Sequence, residues 1–216
     1  ALGILERGHM VETDRQGLVA GFVGQTAIKT TERLEEAMSG VLFIDEAYAL
    51  SNFNGLQGDY GNEAIQTILK KMEDQRGQFF IFAAGYPENM DKFLKANPGL
   101  NSRFDKRLQF HDYNVEELMA IAEKMIREQS YKLTSAAKTQ LKAVMEDMYL
   151  KRDKFFGNAR AVRNIVLDVI KFQNLRRSKL ASTKQNSSIS VEDIQTLIKE
   201  LEANQDLQKP TIGFKK

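Results

Sequence analysis

Two apolar runs set the first limit on what this chain can fold into: "VLFI" (Val41 to Ile44) and "FFIFAA" (Phe79 to Ala84). A half-covered strand alternates apolar and polar residues, because successive side chains point to opposite faces. A run that is apolar at every position suits a strand with helices over both faces of its sheet. Between the two lies "NEAIQTILKKMEDQ", whose Ile65, Ile68, Leu69 and Met72 recur at helical spacing. Strand, helix, strand in that order predicts a parallel sheet flanked by helices. Both runs also end in polar groups, Asp45-Glu46 after the first and Gly85-Tyr86 after the second. Ligands of doubly wound sheets gather at the carboxyl ends of the strands.

The remaining pattern divides the chain near residue 112. Before it, "HMVET" reads as a short strand. Thr13, with Gln16 at the capping-box position, opens a short helix to Ala20. "GFVGQT" is a loop with an aromatic residue between glycines. "TAIKTTERLEEAMSG" reads as a helix with Ile28, Leu34, Ala37 and Met38 on one side. A helix around Asn89 to Lys95, a turn at Asn97-Pro98-Gly99 and a strand "RLQF" complete this half. After Asp112 the pattern is wholly helical. Asn114 and Glu117 form a capping box, Thr134 caps a second helix, Asn158 caps a third reaching about Leu180, and Ser190 to Asp193 opens a fourth. The expected organisation is a large α/β subdomain over 1–112, a helical bundle over 113–203 and a flexible tail over 204–216.

Composition removes several function classes. With 31 basic and 29 acidic residues among 216, the net charge of +2 by itself argues neither for nor against nucleic acid. Only together with an aromatic loop does near-neutrality speak against a DNA-handling role. The absence of Cys excludes disulfides, thiol catalysis and thiolate zinc sites, and fits a reducing cytosol. No stretch reaches the roughly 18 apolar residues of a membrane span. His9 and His111 lack companions at metal-ligand spacing. What remains is the strand tip. An Asp there can hold Mg²⁺ through its water shell, and an adjacent Glu can polarise a water molecule. The alternative is that acidic residues simply end strands where the chain re-enters solvent.

"VLFIDEAYAL", "DYGNEAIQTILKKMED", "FFIFAAGYPENMDKFLKANPGLNSRF" and "FHDYNVEELMAIAEKM" occur in an order that resembles the AAA+ ATPases of the CbxX/CfqX type. That group includes red-type Rubisco activase and ATPases like stage V sporulation protein K. The resemblance runs from about Gly8 to about Arg177 and implies a P-loop-type parallel sheet followed by a C-terminal helical lid subdomain. It implies ATP and Mg²⁺ as cofactors, with Asp45 organising the metal and Glu46 acting as general base. Tyr86 falls where many relatives carry the sensor-1 Asn, and its alternative is a buried aromatic. Arg103, in "NPGLNSRF", matches an arginine finger reaching a neighbouring subunit's nucleotide, which implies a ring, expected as a hexamer. The alternative for Arg103 is a surface pair with a carboxylate such as Asp105. Arg160, in "GNARAVRN", matches sensor 2, and Arg163 lies one turn on; otherwise both are ordinary helix-surface arginines. Phe22 and Val23 match the aromatic-hydrophobic pore loop that grips a polypeptide, unless Phe22 folds back into the core. "NFNGLQGDYG" would form a second loop below it.

One part of the family pattern has no counterpart here. G-x-x-x-x-G-K-[ST], whose backbone N–H groups cradle phosphates, occurs nowhere in the 216 residues. The chain also begins without Met, so the natural protein is expected to continue upstream through the missing loop and its strand. The resemblance then implies a cytoplasmic ring ATPase that remodels a protein substrate through its pore, with this chain alone inactive. The other class open at this point is a non-hydrolysing AAA+ scaffold or regulatory subunit.

Overall fold

The structure is a computed structural model that describes residues 5–22, 24–51, 60–153, 156–179 and 187–208. The chain forms two compact units, 1–109 and 110–216. Among the described residues no helix is long and apolar enough to cross a membrane.

Unit 1 is built on three parallel strands in the order β1 (Met10–Thr13), β2 (Val41–Ile44), β3 (Phe80–Ala83). The register aligns Val11 with Leu42 and Ile81, and Thr13 with Ile44 and Ala83. Those residues share one face. Leu42 and Ile44 are buried there with Leu18, Leu34, Leu50, Ala64, Ile68 and Leu100, contributed by the helices and turns of the unit. The opposite face carries Met10, Phe43, Phe80 and Phe82. Phe80 is 44% exposed and Phe82 50%. Helices flank the sheet as expected, and among the described residues their cover lies on the Leu42–Ile44 face. The apolar character of β2 and β3 still marks both faces as built for burial.

Among the described residues this unit has five α-helices: α1 (Arg15–Leu18), α2 (Gln25–Glu36), α3 (Gly61–Asp74), α4 (Pro87–Ala96) and α5 (Pro98–Arg103). Thr13 does not cap α1. It stays in the ladder opposite Ile44, and the next residue, Asp14, accepts from Gly17 N at 2.9 Å. Helix α2 buries Thr26, Thr30 and Leu34, with Ala37 just beyond, while Ile28 points outward at 61% exposure. Two threonines can hold core positions because their hydroxyls are satisfied: Thr30 Oγ1 donates to Leu18 O at 2.9 Å, and Thr26 Oγ1 accepts from Ala20 N at 3.1 Å. The turn expected at Asn97 opens α5 instead, with Asn97 Oδ1 accepting from Gly99 N at 2.8 Å. "RLQF" is not a strand. Residues 104–114 have no regular structure, and Leu108 and Phe110 are exposed. A strand there would need a neighbouring strand to accept its hydrogen bonds, and the sheet contains β1, β2 and β3 alone among the described residues.

Unit 2 packs α6 (Val115–Glu128), α7 (Ser135–Leu150), α8 (Ala159–Lys179) and α9 (Val191–Gln208) around Leu118, Ile126, Leu141, Met145, Val162, Val169 and Ile194. The capping box forms as read: Asn114 Oδ1 accepts from Glu117 N at 2.9 Å, and Glu117 Oε2 accepts from Asn114 N at 2.8 Å. Thr134 caps α7 by accepting from Ala137 N. The unit is not wholly helical, because β4 (Lys132–Leu133) and β5 (Ser188–Ile189) pair in parallel. Asn158 does not cap α8. It adopts a left-handed φ of 47°, accepts from Tyr113 N at 2.9 Å and donates to Asp112. Asn tolerates that conformation better than most residues. The tail expected over 204–216 overlaps α9, which runs through Gln208; residues 209–216 lie outside the described ones.

Candidate functional site

The sheet gathers three strand tips at one end of unit 1. The ladder continues past the strands: Asp45 N donates to Thr13 O at 2.8 Å, Ala84 N to Ile44 O at 2.9 Å, and Ala47 N to Ala84 O at 3.0 Å. Asp45 and Glu46 therefore emerge between β1 and β3, both exposed. Asp45 Oδ1 accepts from Glu46 N at 2.9 Å, and Glu46 turns the chain with φ of 47°. A left-handed glutamate is uncommon and carries on the order of 1–3 kcal/mol of strain. It breaks the strand sharply, so that two adjacent carboxylates can face solvent before the 3₁₀ turn over Ala47–Ser51 returns the chain to the core at Leu50.

Tyr86 caps α4 beside them and is 60% exposed, which excludes the buried aromatic. Gly85 before it is constrained by its neighbours: a Cβ there would lie 2.7 Å from Tyr48 Cδ1 and 2.9 Å from Met90 Sδ. Tyr48, in the 3₁₀ turn, packs its ring over Gly85 and against the core of the unit. Burial first, then the bond to Glu46 and the negative charge of Glu46 and Tyr86, hold its phenol above the ordinary value, with Asn89 opposing. Arg15 ties α1 to the same turn by donating from Nη1 to Ala49 O at 2.8 Å.

Phe22 does not fold back; it is 72% exposed. Its loop has a fixed base, because Lys29 Nζ donates to Gln16 O at 2.6 Å and Val19 O at 3.1 Å, beside the Thr26 and Thr30 bonds. Gly24 supplies the positive φ of 77° that starts α2. Val23 and residues 52–59, most of the second loop, lie outside the described residues. Arg103 ends α5 and donates from Nη2 to Glu73 Oε2 at 3.2 Å, so its acidic partner is Glu73 on α3 and not Asp105. Its Nε is buried without a hydrogen-bond partner among the described residues. Arg160 and Arg163 lie in unit 2, exposed on the first turns of α8, with no acidic partner within 4.0 Å among the described residues.

Asp45, Glu46 and Tyr86 thus share one end of the sheet, while Arg103 and Phe22 stand on other elements of the same unit. Reading the sequence missed the seat of Tyr48 over Gly85 and the stapled base of the Phe22 loop. For the loop a signal existed, because Thr26 and Thr30 sit four apart on the α2 face that also carries Leu34. For Tyr48 and Gly85, on separate segments, none did.

Comparison with known proteins assigns the chain to a family. Residues 4–112 match the family described as "ATPase family associated with various cellular activities (AAA)", and residues 114–204 match the AAA lid domain. A CfxQ homolog of Trieres chinensis is 41% identical over 89% of this chain and 67% of its own length. Stage V sporulation protein K of Bacillus subtilis (strain 168) is 41% identical over 81% of the chain and 54% of its own length. The chain spans about half to two thirds of these curated relatives. Among solved structures, the Thermotoga maritima RuvB Holliday junction branch migration motor superposes with a TM-score of 0.60, at 17% identity, over 90% of this chain and 54% of that one. That likeness shows the fold alone.

Proposed function

Because the chain belongs to the AAA ATPases of the CbxX/CfqX type, we propose that it is the greater part of a ring-forming ATPase, expected as a hexamer, that remodels a protein substrate drawn through its pore. The observation that carries this reading is the tip of β2, where Asp45 and Glu46 face solvent side by side next to Tyr86. The donor set fits a nucleotide-borne Mg²⁺. No group of three or more His, Cys, Asp or Glu that could hold a metal exists among the described residues, and Mg²⁺ of nucleotide sites takes one or two carboxylates plus phosphate and water oxygens. Bound Mg²⁺–ATP would supply the γ-phosphoryl electrophile and part of the charge that stabilises its transfer.

The chain's own residues supply the rest. Asp45 offers the carboxylate for the metal, and Glu46 accepts the proton of the attacking water. Tyr86, exposed at the same end of the sheet, has a hydroxyl to offer there. Arg103 brings positive charge to the nucleotide of the adjoining subunit. Its ion pair with Glu73 is partly exposed and holds it weakly, about 0–1 kcal/mol, so the guanidinium can exchange that partner for phosphate. Arg160 and Arg163, with no acidic partner among the described residues, offer their guanidiniums to phosphate. Phe22, with Val23 beside it, grips an extended polypeptide by apolar contact, which needs no particular hydrogen-bond partner.

Mixing two inactive full-length variants tests the ring. Arg103→Ala lacks the finger and Glu46→Gln lacks the base, so neither alone should turn over ATP. Random mixed rings pair an intact Glu46 with an intact Arg103 at about a quarter of their interfaces and should recover activity accordingly. No recovery from rings shown to contain both variants would contradict an Arg103 acting between subunits. No turnover by the wild type would leave the scaffold reading.

A further inference from the structure

We infer that Arg15 is a positioning residue for the Phe22 loop: its guanidinium holds α1, and through α1 the base of that loop, on the turn that follows Glu46. The inference rests on the proposed grip of Phe22 and goes beyond it, by naming what fixes the loop that carries the ring. Two sets of bonds meet at α1. On one side Arg15 Nη1 donates to Ala49 O at 2.8 Å, inside the turn closed by the Ala49 N to Glu46 O bond at 2.8 Å. The same nitrogen sits against the first residue of α3, where a Cβ on Gly61 would lie 2.6 Å from it. Gly61 is buried, so the guanidinium occupies space that a side chain on α3 would otherwise fill. On the other side Lys29 Nζ donates to Gln16 O at 2.6 Å and to Val19 O at 3.1 Å. Thr30 Oγ1 donates to Leu18 O at 2.9 Å, and Ala20 N donates to Thr26 Oγ1 at 3.1 Å. These bonds fasten α1 to α2, so the exposed Phe22 spans a short loop whose two ends are joined.

A four-residue helix, closed by the Val19 N to Arg15 O bond at 2.9 Å, cannot hold its own place. Leu18 anchors it in the core, but apolar burial is non-directional and does not fix rotation about that anchor. The planar guanidinium, with its donors in a fixed fork, supplies the missing direction. A charged donor on a backbone carbonyl is also among the stronger hydrogen bonds. The turn itself does not depend on Arg15, because Ala47 N donates to Ala84 O at 3.0 Å and Ala49 N to Glu46 O. Loss of the tie should therefore loosen the Phe22 loop and leave Glu46 where it is. A loosened loop must be ordered again each time Phe22 meets a polypeptide, and that ordering weakens binding.

Arg15→Met keeps the stem and deletes the donors; Arg15→Lys keeps a donor at slightly shorter reach. The probe is fluorescein-labelled casein, a polypeptide without a fixed fold, held by full-length protein carrying Glu46→Gln in the presence of ATP. Arg15→Met should weaken casein binding about three- to tenfold, and Arg15→Lys should restore most of it. Basal ATP turnover, read without Glu46→Gln, should stay within about twofold in both variants. In a Phe22→Ala background Arg15→Met should change casein binding by less than about twofold, because no ring is left to place. A packing role would survive in the Met stem, so unchanged binding in Arg15→Met overturns the inference. So does a loss of basal turnover equal to the loss of binding, or an equal loss with and without Phe22. Amide exchange reads the tie without substrate or turnover. Peptides over residues 15–22 should exchange about tenfold faster in Arg15→Met, with α4 peptides unchanged, and unchanged exchange over 15–22 also overturns it. Full-length protein that retains no casein, while those amides still respond, would sink the grip of Phe22 and leave the tie standing.

Discussion

Asp193 is where the lid unit is most vulnerable to a single change. Its side chain is 1% exposed and accepts four hydrogen bonds: Ser190 N at 2.8 Å, Ser190 Oγ at 3.2 Å, and Arg176 Nε and Nη2 at 2.8 and 3.0 Å. It caps α9 and pairs bidentately with α8 at once, and the pairing raises the proton affinity of Arg176. Arg176 also donates to Ser188 O in β5 at 3.2 Å. Asp193→Ala removes the cap, worth about 1 kcal/mol, and strands a partly buried guanidinium. Breaking a buried ion pair by one partner costs about 3–5 kcal/mol. Arg176 keeps some solvent and the nearby Glu192, so about 3 kcal/mol is the expected loss. Hydrogen exchange read by mass spectrometry on peptides from α8 and α9 checks it. Their most protected amides should exchange about 10²-fold faster, while α2 and α3 peptides of unit 1 stay unchanged. Replacing both partners, as Arg176→Met with Asp193→Leu, should recover most of the loss, because no charge is left unpaired. A loss below about 1 kcal/mol in Asp193→Ala would show the pair to behave as an exposed one and refute the reasoning.

Phe22→Ala in the full-length protein should impair substrate remodelling several-fold while basal ATP turnover changes little, since the ring is 72% exposed and its loop base is held by Thr26, Lys29 and Thr30; parallel loss of both activities would count against a substrate contact. Gly85→Ala should cost about 1–3 kcal/mol of stability in thermal melts, because its Cβ meets the Tyr48 ring and Met90 Sδ, and an unchanged Tm would contradict that packing. The phenol of Tyr48 binds its proton more tightly folded than unfolded, so the stability it contributes is present below about pH 10 and falls as pH rises above that. Alkaline unfolding of Tyr48→Phe should lack that component, and identical profiles would contradict it.

The three strands of the sheet in unit 1 and most caps were legible because local chemistry decides them. The apolar runs became β2 and β3, and Asn114 with Glu117 formed their reciprocal box. What was not legible depended on partners distant in sequence. Thr13 reads as a cap, but pairing with Ile44 keeps it in the sheet and hands the cap to Asp14. Ile28 reads as core, but hydroxyls satisfied by Leu18 and Ala20 let Thr26 and Thr30 take the buried face. Asn158 reads as a cap, yet its bonds go back to residues 112 and 113, some 45 positions away. "RLQF" has the composition of a strand without a neighbour to pair with among the described residues. At the site, Asp45 and Glu46 were readable from their place after an apolar run, whereas the packing of Tyr48 over Gly85 exists only because the turn after β2 folds over the tip of β3.

Glu46→Gln in the full-length protein shows whether the β2 tip is the hydrolytic half of a nucleotide site. ATP binding and steady-state turnover are measured on the same preparation, with Mg²⁺ present. Nucleotide affinity should stay within a few-fold of wild type while turnover falls at least about 10²-fold, the range a general base contributes. Wild-type turnover in Glu46→Gln at full nucleotide occupancy would contradict that role.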